Sequence, residues 1–379
     1  MRTESPPPHS VLSPQSLVLD DAGRPAPLLE IRDLAVHYRT VGGLARAVDG
    51  VSLTVSRGEI LGLAGESGCG KSTLATAILR LMRPPGYIAG GQVLFHPAGG
   101  EAVDLLRLDD QRLRGVRWRH LSYIPQGSMN SLNPVMRVVD QFVDVMVQHA
   151  PLSRTQARPR VPDLLRQVGL GAHVARMFPH ELSGGMKQRA IIAMAIALDP
   201  DLVIADEPTT ALDVNVQRVI IQTLADLRDR LGMSLLVVTH DMAVHAQLAD
   251  RVAVMYAGQI VEHAEVRTLY KRPRHPYAQG LIRSIPVVGE AHRRLTGIEG
   301  TAPSPLAWPP GCRFHPRCPH VMPVCPTVVP ALLPLANSTA NGTAGRTAGR
   351  IPGRAAPQPV HVACHLYPQS DGTRTSDGE

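Results

Sequence analysis

EILGLAGESGCGKSTLATAILRLM, residues 59–82, is the stretch from which the fold of this chain is read. It opens with a short apolar run, turns through a glycine-rich loop and continues with apolar residues at helical spacing. The loop GESGCGKST at 65–73 fits the pattern G-x-x-x-x-G-K-[ST], and it lies between strand and helix, the context that supports that pattern. Gly65, Gly68 and Gly70 let the backbone curl so that several N–H groups face one phosphate, and the new helix adds its positive end. Lys71 is placed to reach the β- and γ-phosphates of a nucleotide, and the Ser72 hydroxyl to ligate Mg²⁺. Glu66, Ser67, Cys69 and Thr73 complete the loop around the phosphates, with Cys69 at a free position that needs no chemistry of its own.

Outward from the loop the texture is that of an α/β protein. Upstream, LLEIRDLAVHY (28–38) and AVDGVSLTVSRG (47–58) alternate like strands of a small antiparallel sheet. Downstream, a helix (186–198), a strand (202–206), a helix (214–231) and a strand (234–239) follow one another, then VAVMYAGQIVEH. Strands alternating with helices predict a parallel sheet covered on both faces. Residues 131–182 are helical in pattern and broken by Pro, which predicts an inserted helical subdomain. The expected organisation is therefore a disordered Pro/Ser-rich tail at 1–27, a nucleotide-binding domain at 28–270, and an extension at 271–379 interrupted by a flexible linker at 335–358.

Two strand ends add the rest of a hydrolytic site. DLVIADEPTTALD (201–213) is a buried strand ending in Asp206, placed to hold Mg²⁺, with Glu207 next to it to orient or deprotonate a water. SLLVVTHDM (234–242) ends in His240, within reach of a γ-phosphate. LSGGMKQR (182–189) then resembles the signature motif of the ABC ATPases, and YIPQ (123–126) resembles their Q-loop. The resemblance covers residues 28 to about 265. It implies an ABC-type P-loop NTPase, with a RecA-like core, an antiparallel β subdomain and a helical subdomain. By the same resemblance Gln126 touches Mg²⁺ or water, Tyr38 stacks on adenine, and Asp213 lies across a dimer interface. Ser183, Gly184 and Gly185 close over the ATP held by a second subunit.

Composition narrows the class further. The net charge of +7 comes from scattered Arg, with 3% aromatic residues and no polybasic block, which disfavours a nucleic-acid partner. The first residues lack the apolar core of a secretory signal. The longest apolar run, AIIAMAIAL at 190–198, is about half of the ~18 residues that a spanning helix needs. The expected location is peripheral, at the cytoplasmic face of the cell (inner) membrane, through partner proteins.

The segment just after the Q-loop and the extension carry further signals. QGSMNSLNPV (126–135), RPRHPYAQGLIRSIP (272–286), GCRFHPRCPHVMPVC (311–325) and VACH (362–365) resemble the oligopeptide/dipeptide (peptide/nickel) branch of ABC transporters. Cys312, Cys318, Cys325 and Cys364 suit tetrahedral zinc, an iron–sulfur cluster, or four reduced thiols with no metal, and His315, His320, His361 and His365 compete as ligands. The resemblance implies a 4Fe–4S cluster. It also implies an ATPase that drives di- or oligopeptide import, working with a second, related ATPase, two transmembrane permeases and an extracytoplasmic substrate-binding protein. Nickel chelates as cargo and a soluble ABC ATPase acting on nucleic acid are the alternatives, and the cysteine tail as a metal or redox sensor is a third.

Overall fold

The computed structural model describes residues 26–285, 297–335 and 359–367. The expected tail up to residue 25 and the linker from 336 to 358 lie outside the described residues. The chain opens with β1 (Pro27–Thr40) and β2 (Gly43–Ser56), then β3 (Ile60–Ala64), α1 (Lys71–Ile78), β4 (Gly86–Phe95), β5 (Val103–Asp104), α2 (Asp110–Val116) and β6 (Leu121–Ile124). A helical segment follows, with α3 (Val138–His149), α4 (Arg154–Ala157) and α5 (Val161–Gln167). The alternating part is α6 (Gly184–Ala195), β7 (Leu202–Asp206), α7 (Val214–Leu231), β8 (Ser234–Val238), α8 (Met242–Leu248), β9 (Arg251–Tyr256) and β10 (Gln259–Glu265). α9 (Val266–Lys271) follows, and the extension supplies α10 (Pro276–Arg283), β11 (Leu333–Pro334) and β12 (His361–Val362).

Two sheets organise these elements. The antiparallel sheet runs β2-β1-β4-β5, and the larger one runs β11-β12-β10-β9-β3-β8-β7-β6. β3 pairs in parallel with both β8 and β9, and β8 continues through β7 to β6 in the same sense. Every residue of β3, β7 and β8 is buried, as expected for apolar strands with helices over both faces. α7 covers this sheet with Ile220, Ile221, Leu224 and Leu227, spaced to form one face. Full burial of such a side chain contributes about 1.5–3 kcal/mol. Asp213 caps its first turn by accepting from the Val216 N–H at 2.9 Å, and Gly232 ends it in the left-handed region.

Two local expectations shift. The helix predicted from residue 186 begins at Gly184, because the Ser183 hydroxyl caps it by accepting from the Met186 N–H at 3.3 Å. The main sheet also extends past β10. β12 pairs antiparallel with β10 at Glu262↔Val362, and β11 follows it.

The extension is packed on the core. Tyr256 of β9, Tyr277 of α10 and Phe314 form an aromatic cluster with ring centroids 4.5–5.5 Å apart. Buried Glu262 of β10 accepts from the backbone N–H groups of Arg274 (2.9 and 3.0 Å) and His275 (2.7 Å), which fixes the chain entering α10. Burial pushes the Glu262 carboxyl up to about 7 in spite of those donors. Between the ordinary carboxylate value of 4.5 and about 7 the unfolded chain therefore binds fewer protons than the folded one. Stability contributed at this site is present at low pH and falls as pH rises through that window. Glu262→Gln should flatten the corresponding slope in a denaturation series; a slope equal to that of the parent would show that Glu262 does not titrate there.

Candidate active site

The glycine-rich loop leaves the C-terminal end of β3 and feeds α1, at the centre of the sheet where connections depart to either side. That crevice is where open α/β sheets place ligands. A cleft of about 590 Å³ lies there, lined by loop residues including Gly65, Glu66, Lys71, Ser72 and Thr73, by Gln126 after β6, and by Glu207 and His240. Four strand ends, those of β3, β6, β7 and β8, thus bring together residues more than a hundred positions apart.

The loop is held tightly. Lys71 is buried, and its Nζ donates to the carbonyls of Gly65 (2.8 Å) and Glu66 (2.9 Å). Gly70 has φ +110°, and a Cβ there would sit 2.2 Å from the Ala47 carbonyl oxygen. Cys69 lies beneath the loop, and burial pushes its thiol up, so it is a packing residue and a poor nucleophile. Gly258 braces the loop from the β9–β10 turn by donating to the Cys69 carbonyl at 2.9 Å.

The carboxylates have distinct surroundings. Asp206 accepts from the Ser72 hydroxyl at 3.0 Å and from the Tyr123 hydroxyl at 3.2 Å. Burial pushes its carboxyl up, and Ser72 and Tyr123 offset only part of that. An almost fully buried carboxylate beside a hydroxyl, with Gln126 across the cleft, is a hard oxygen donor set, and Mg²⁺ fits it. Glu207 has φ +50°, a strained conformation for a residue with a side chain. Its Oε1 lies 2.7 Å from His240 Nδ1 and accepts from the His240 backbone N–H at 3.2 Å. Its Oε2 accepts from the hydroxyls of Thr210 (2.9 Å) and Thr239 (3.3 Å). Burial alone would push this carboxyl up, but His240, Thr210 and the Lys71 charge together hold it below the ordinary value.

Other residues singled out from the sequence lie apart from the cleft. The Tyr38 hydroxyl is 3.2 Å from Thr73 Oγ1, at the edge of the site. Ser183, Gly184, Gly185 and Asp213 do not line the cleft of their own chain. Sequence reasoning missed Arg317 altogether. It lies 251 positions beyond Glu66 and binds that carboxylate with two parallel hydrogen bonds of 2.9 and 3.1 Å. No spacing rule connects the two. The one available clue was an acidic residue inside a phosphate-binding loop, which calls for a nearby cation.

The four clustered cysteines are free thiols. Burial, with the neighbouring sulfurs of Cys312, Cys318 and Cys325, pushes the Cys364 thiol up to about 11. The backbone N–H groups of His320 and Met322 donate to the sulfurs of Cys318 (3.4 Å) and Cys325 (3.5 Å). Such donors suit a metal-bound thiolate. Among the described residues no three His, Cys, Asp or Glu side chains converge closely enough to hold a metal ion, which gives neither the zinc nor the iron–sulfur reading support. No described helix is long and apolar enough to cross a membrane.

Known proteins resemble this chain over most of its length. The family model "ABC transporter" matches residues 48–210, and "Oligopeptide/dipeptide transporter, C-terminal region" matches 261–325. The oligopeptide transport ATP-binding protein OppD of Bacillus subtilis (strain 168) is 44% identical over 301 residues, covering 78% of this chain and 83% of its own. The dipeptide transport ATP-binding protein DppD of the same organism is 41% identical over 304 residues, covering 79% and 89%. Among solved structures, the dimeric post-hydrolysis state of the ATP-binding cassette MJ0796 with ADP and Pi has a TM-score of 0.55 at 26% identity, covering 63% of this chain and 99% of that one. Matched at 44% identity over 78% of its length, with its C-terminal region matched as well, the chain belongs to the ATP-binding proteins of the oligopeptide/dipeptide ABC transporter family.

Proposed function

We propose that this chain is the ATP-hydrolysing subunit of an importer for di- or oligopeptides. The observation that carries the reading is the convergence of Lys71, Ser72, Asp206, Glu207 and His240 at the ends of three parallel strands, in a chain whose relatives are peptide transport proteins. Relatives of that kind, matched over most of their length, favour it over a soluble ABC ATPase acting on nucleic acid and over nickel chelates as cargo.

The loop N–H groups and Lys71 bind the β- and γ-phosphates. Ser72, Asp206 and Gln126 would hold Mg²⁺, which when bound neutralises phosphate charge. Glu207, held by His240, Thr210 and Thr239, orients or deprotonates a water directed at the γ-phosphate. His240 steadies Glu207 and faces the phosphate. Tyr38 supports the adenine end. Ser183, Gly184, Gly185 and Asp213 complete the cleft of a second ATP-binding subunit, a related chain rather than an identical one. The assembly includes two permeases and an extracytoplasmic substrate-binding protein, and it places this subunit at the cytoplasmic face of the membrane. The domain limits follow: a nucleotide-binding domain at 28–270, with its helical subdomain at about 131–182, and the extension from 271. Deleting the gene should abolish uptake of a labelled peptide and the parent gene restore it; unaffected uptake of every di- and oligopeptide tested, with ATPase activity stimulated by DNA or RNA, would overturn the reading.

Cys312, Cys318, Cys325 and Cys364 hold a 4Fe–4S cluster in this reading, with a structural role. The N–H donors to the sulfurs of Cys318 and Cys325 would suit thiolate ligands. Cys318→Ser is expected to remove most bound iron and acid-labile sulfide from anaerobically purified protein. Equal iron in variant and parent would exclude Cys318 as a ligand.

A further inference from the structure

We infer that the C-terminal extension is a working part of the phosphate loop, with Arg317 and Tyr277 acting as positioning residues that fix Glu66. The inference rests on the reading of residues 65–73 as the nucleotide cradle. Glu66 is the second residue of that loop, and its carboxylate ties the loop to the extension. Arg317, in a short turn of the extension between Cys312 and Cys318, neutralises that carboxylate. Its Nη1 and Nη2 donate to the two carboxylate oxygens at 2.9 and 3.1 Å, the planar pairing in which a guanidinium surpasses an ammonium.

The guanidinium is fully committed to this place. Nε donates to the Glu299 carbonyl at 2.9 Å, Nη2 also to the Ile298 carbonyl at 3.3 Å, and Nη1 also to the Tyr256 hydroxyl at 3.4 Å. All five donors of the side chain are thereby used. Its side chain is only 6% exposed, so solvent does little to weaken the pair.

Glu66 is gripped at its backbone as well. Its N–H donates to the hydroxyl of fully buried Tyr277 at 2.8 Å, while its carbonyl accepts from Lys71. Tyr277 is set by α10, whose entry is held by Glu262, so a chain of buried contacts runs from β10 to the loop. The extension also reaches the cleft itself, since Leu281 and Pro305 line it, and Arg46 donates to the Pro305 carbonyl at 3.0 Å. Glu66, Arg317 and Tyr277 therefore set the loop's shape without touching the reacting atoms.

A double-mutant cycle on the full chain tests this, reading ATP Kd and the split between KM and kcat. Arg317→Ala and Glu66→Ala should each weaken ATP binding about tenfold, the loss of one charge-assisted pair, with kcat nearly unchanged. The double variant should be no weaker than either single one, and Arg317→Lys should recover part of the loss. An Arg317→Ala effect that persists in full in the Glu66→Ala background would overturn the inference, because it would act through the cysteine cluster or the fold instead. If Arg317→Ala does not fold, Glu66→Ala decides alone, since it leaves the other Arg317 contacts in place; unchanged affinity there overturns the inference. Lys71→Ala serves as the control: normal ATP binding by that variant would refute the nucleotide-cradle reading itself, whatever Arg317 does.

Discussion

Glu207→Gln is expected to lower ATP turnover by about 10²- to 10⁴-fold, the range of a positioned base or water-orienting group, while leaving ATP binding close to that of the parent. The reason lies in the four contacts that hold its carboxylate. His240 takes one oxygen, and Thr210 and Thr239 take the other, so the side chain has one orientation. The amide of Gln presents a donor where one of those donors now meets an acceptor, and it carries no negative charge to order a water. The phosphate contacts belong to the loop and Lys71, on a different strand end, and they persist. Steady-state ATPase assays beside nucleotide titration separate the two quantities. A variant that hydrolyses ATP within a factor of about three of the parent would remove Glu207 from the role given to it, because an effect that small is less than 1 kcal/mol.

Gly70→Ala is expected to weaken ATP binding by about two orders of magnitude, although it exchanges no group that touches phosphate. The backbone there has φ +110°, where a side chain is strained by about 1–3 kcal/mol. The new Cβ would also lie 2.2 Å from the Ala47 carbonyl oxygen and 2.8 Å from the Met255 methyl. The methyl can swing away, but the carbonyl is part of β2 and cannot. The loop must therefore open at the residue that precedes Lys71 and starts α1. Isothermal titration with ATP, alongside a thermal melt to confirm folding, reads the effect. Parent-like affinity in a folded variant would mean that the loop accommodates a side chain there.

Much of this site was legible because its chemistry is local. The loop 65–73 declares itself by glycine spacing between a strand and a helix. Asp206, Glu207 and His240 stand at the ends of apolar runs, where parallel strands deliver side chains to one edge. The α/β core was legible for the same reason, since β3 and the stretches 202–205 of β7 and 235–238 of β8 are short apolar runs. The illegible part was made of contacts between distant segments with no periodicity. Arg317 resembles any other Arg of an arginine-rich chain until the fold lays it on Glu66. The two-residue strands β11 and β12 are too short to show an alternation, and only the pairing of β12 with β10 and of β11 with β12 reveals them. α8 was missed because seven residues give barely two turns of pattern.

The position of β12 bears on how this molecule is made. Its partner β10 ends at Glu265, but the strand that covers its outer edge begins only at His361. While the ribosome is still adding the residues between, the backbone N–H and C=O groups of β10 on that side face open water, a template for pairing with another nascent chain. A polypeptide released before residue 361 keeps that edge permanently. Proteolytic trimming of the tail is therefore expected to produce aggregating protein even where every residue that meets ATP survives, because the strand that closes this edge is the last to be made.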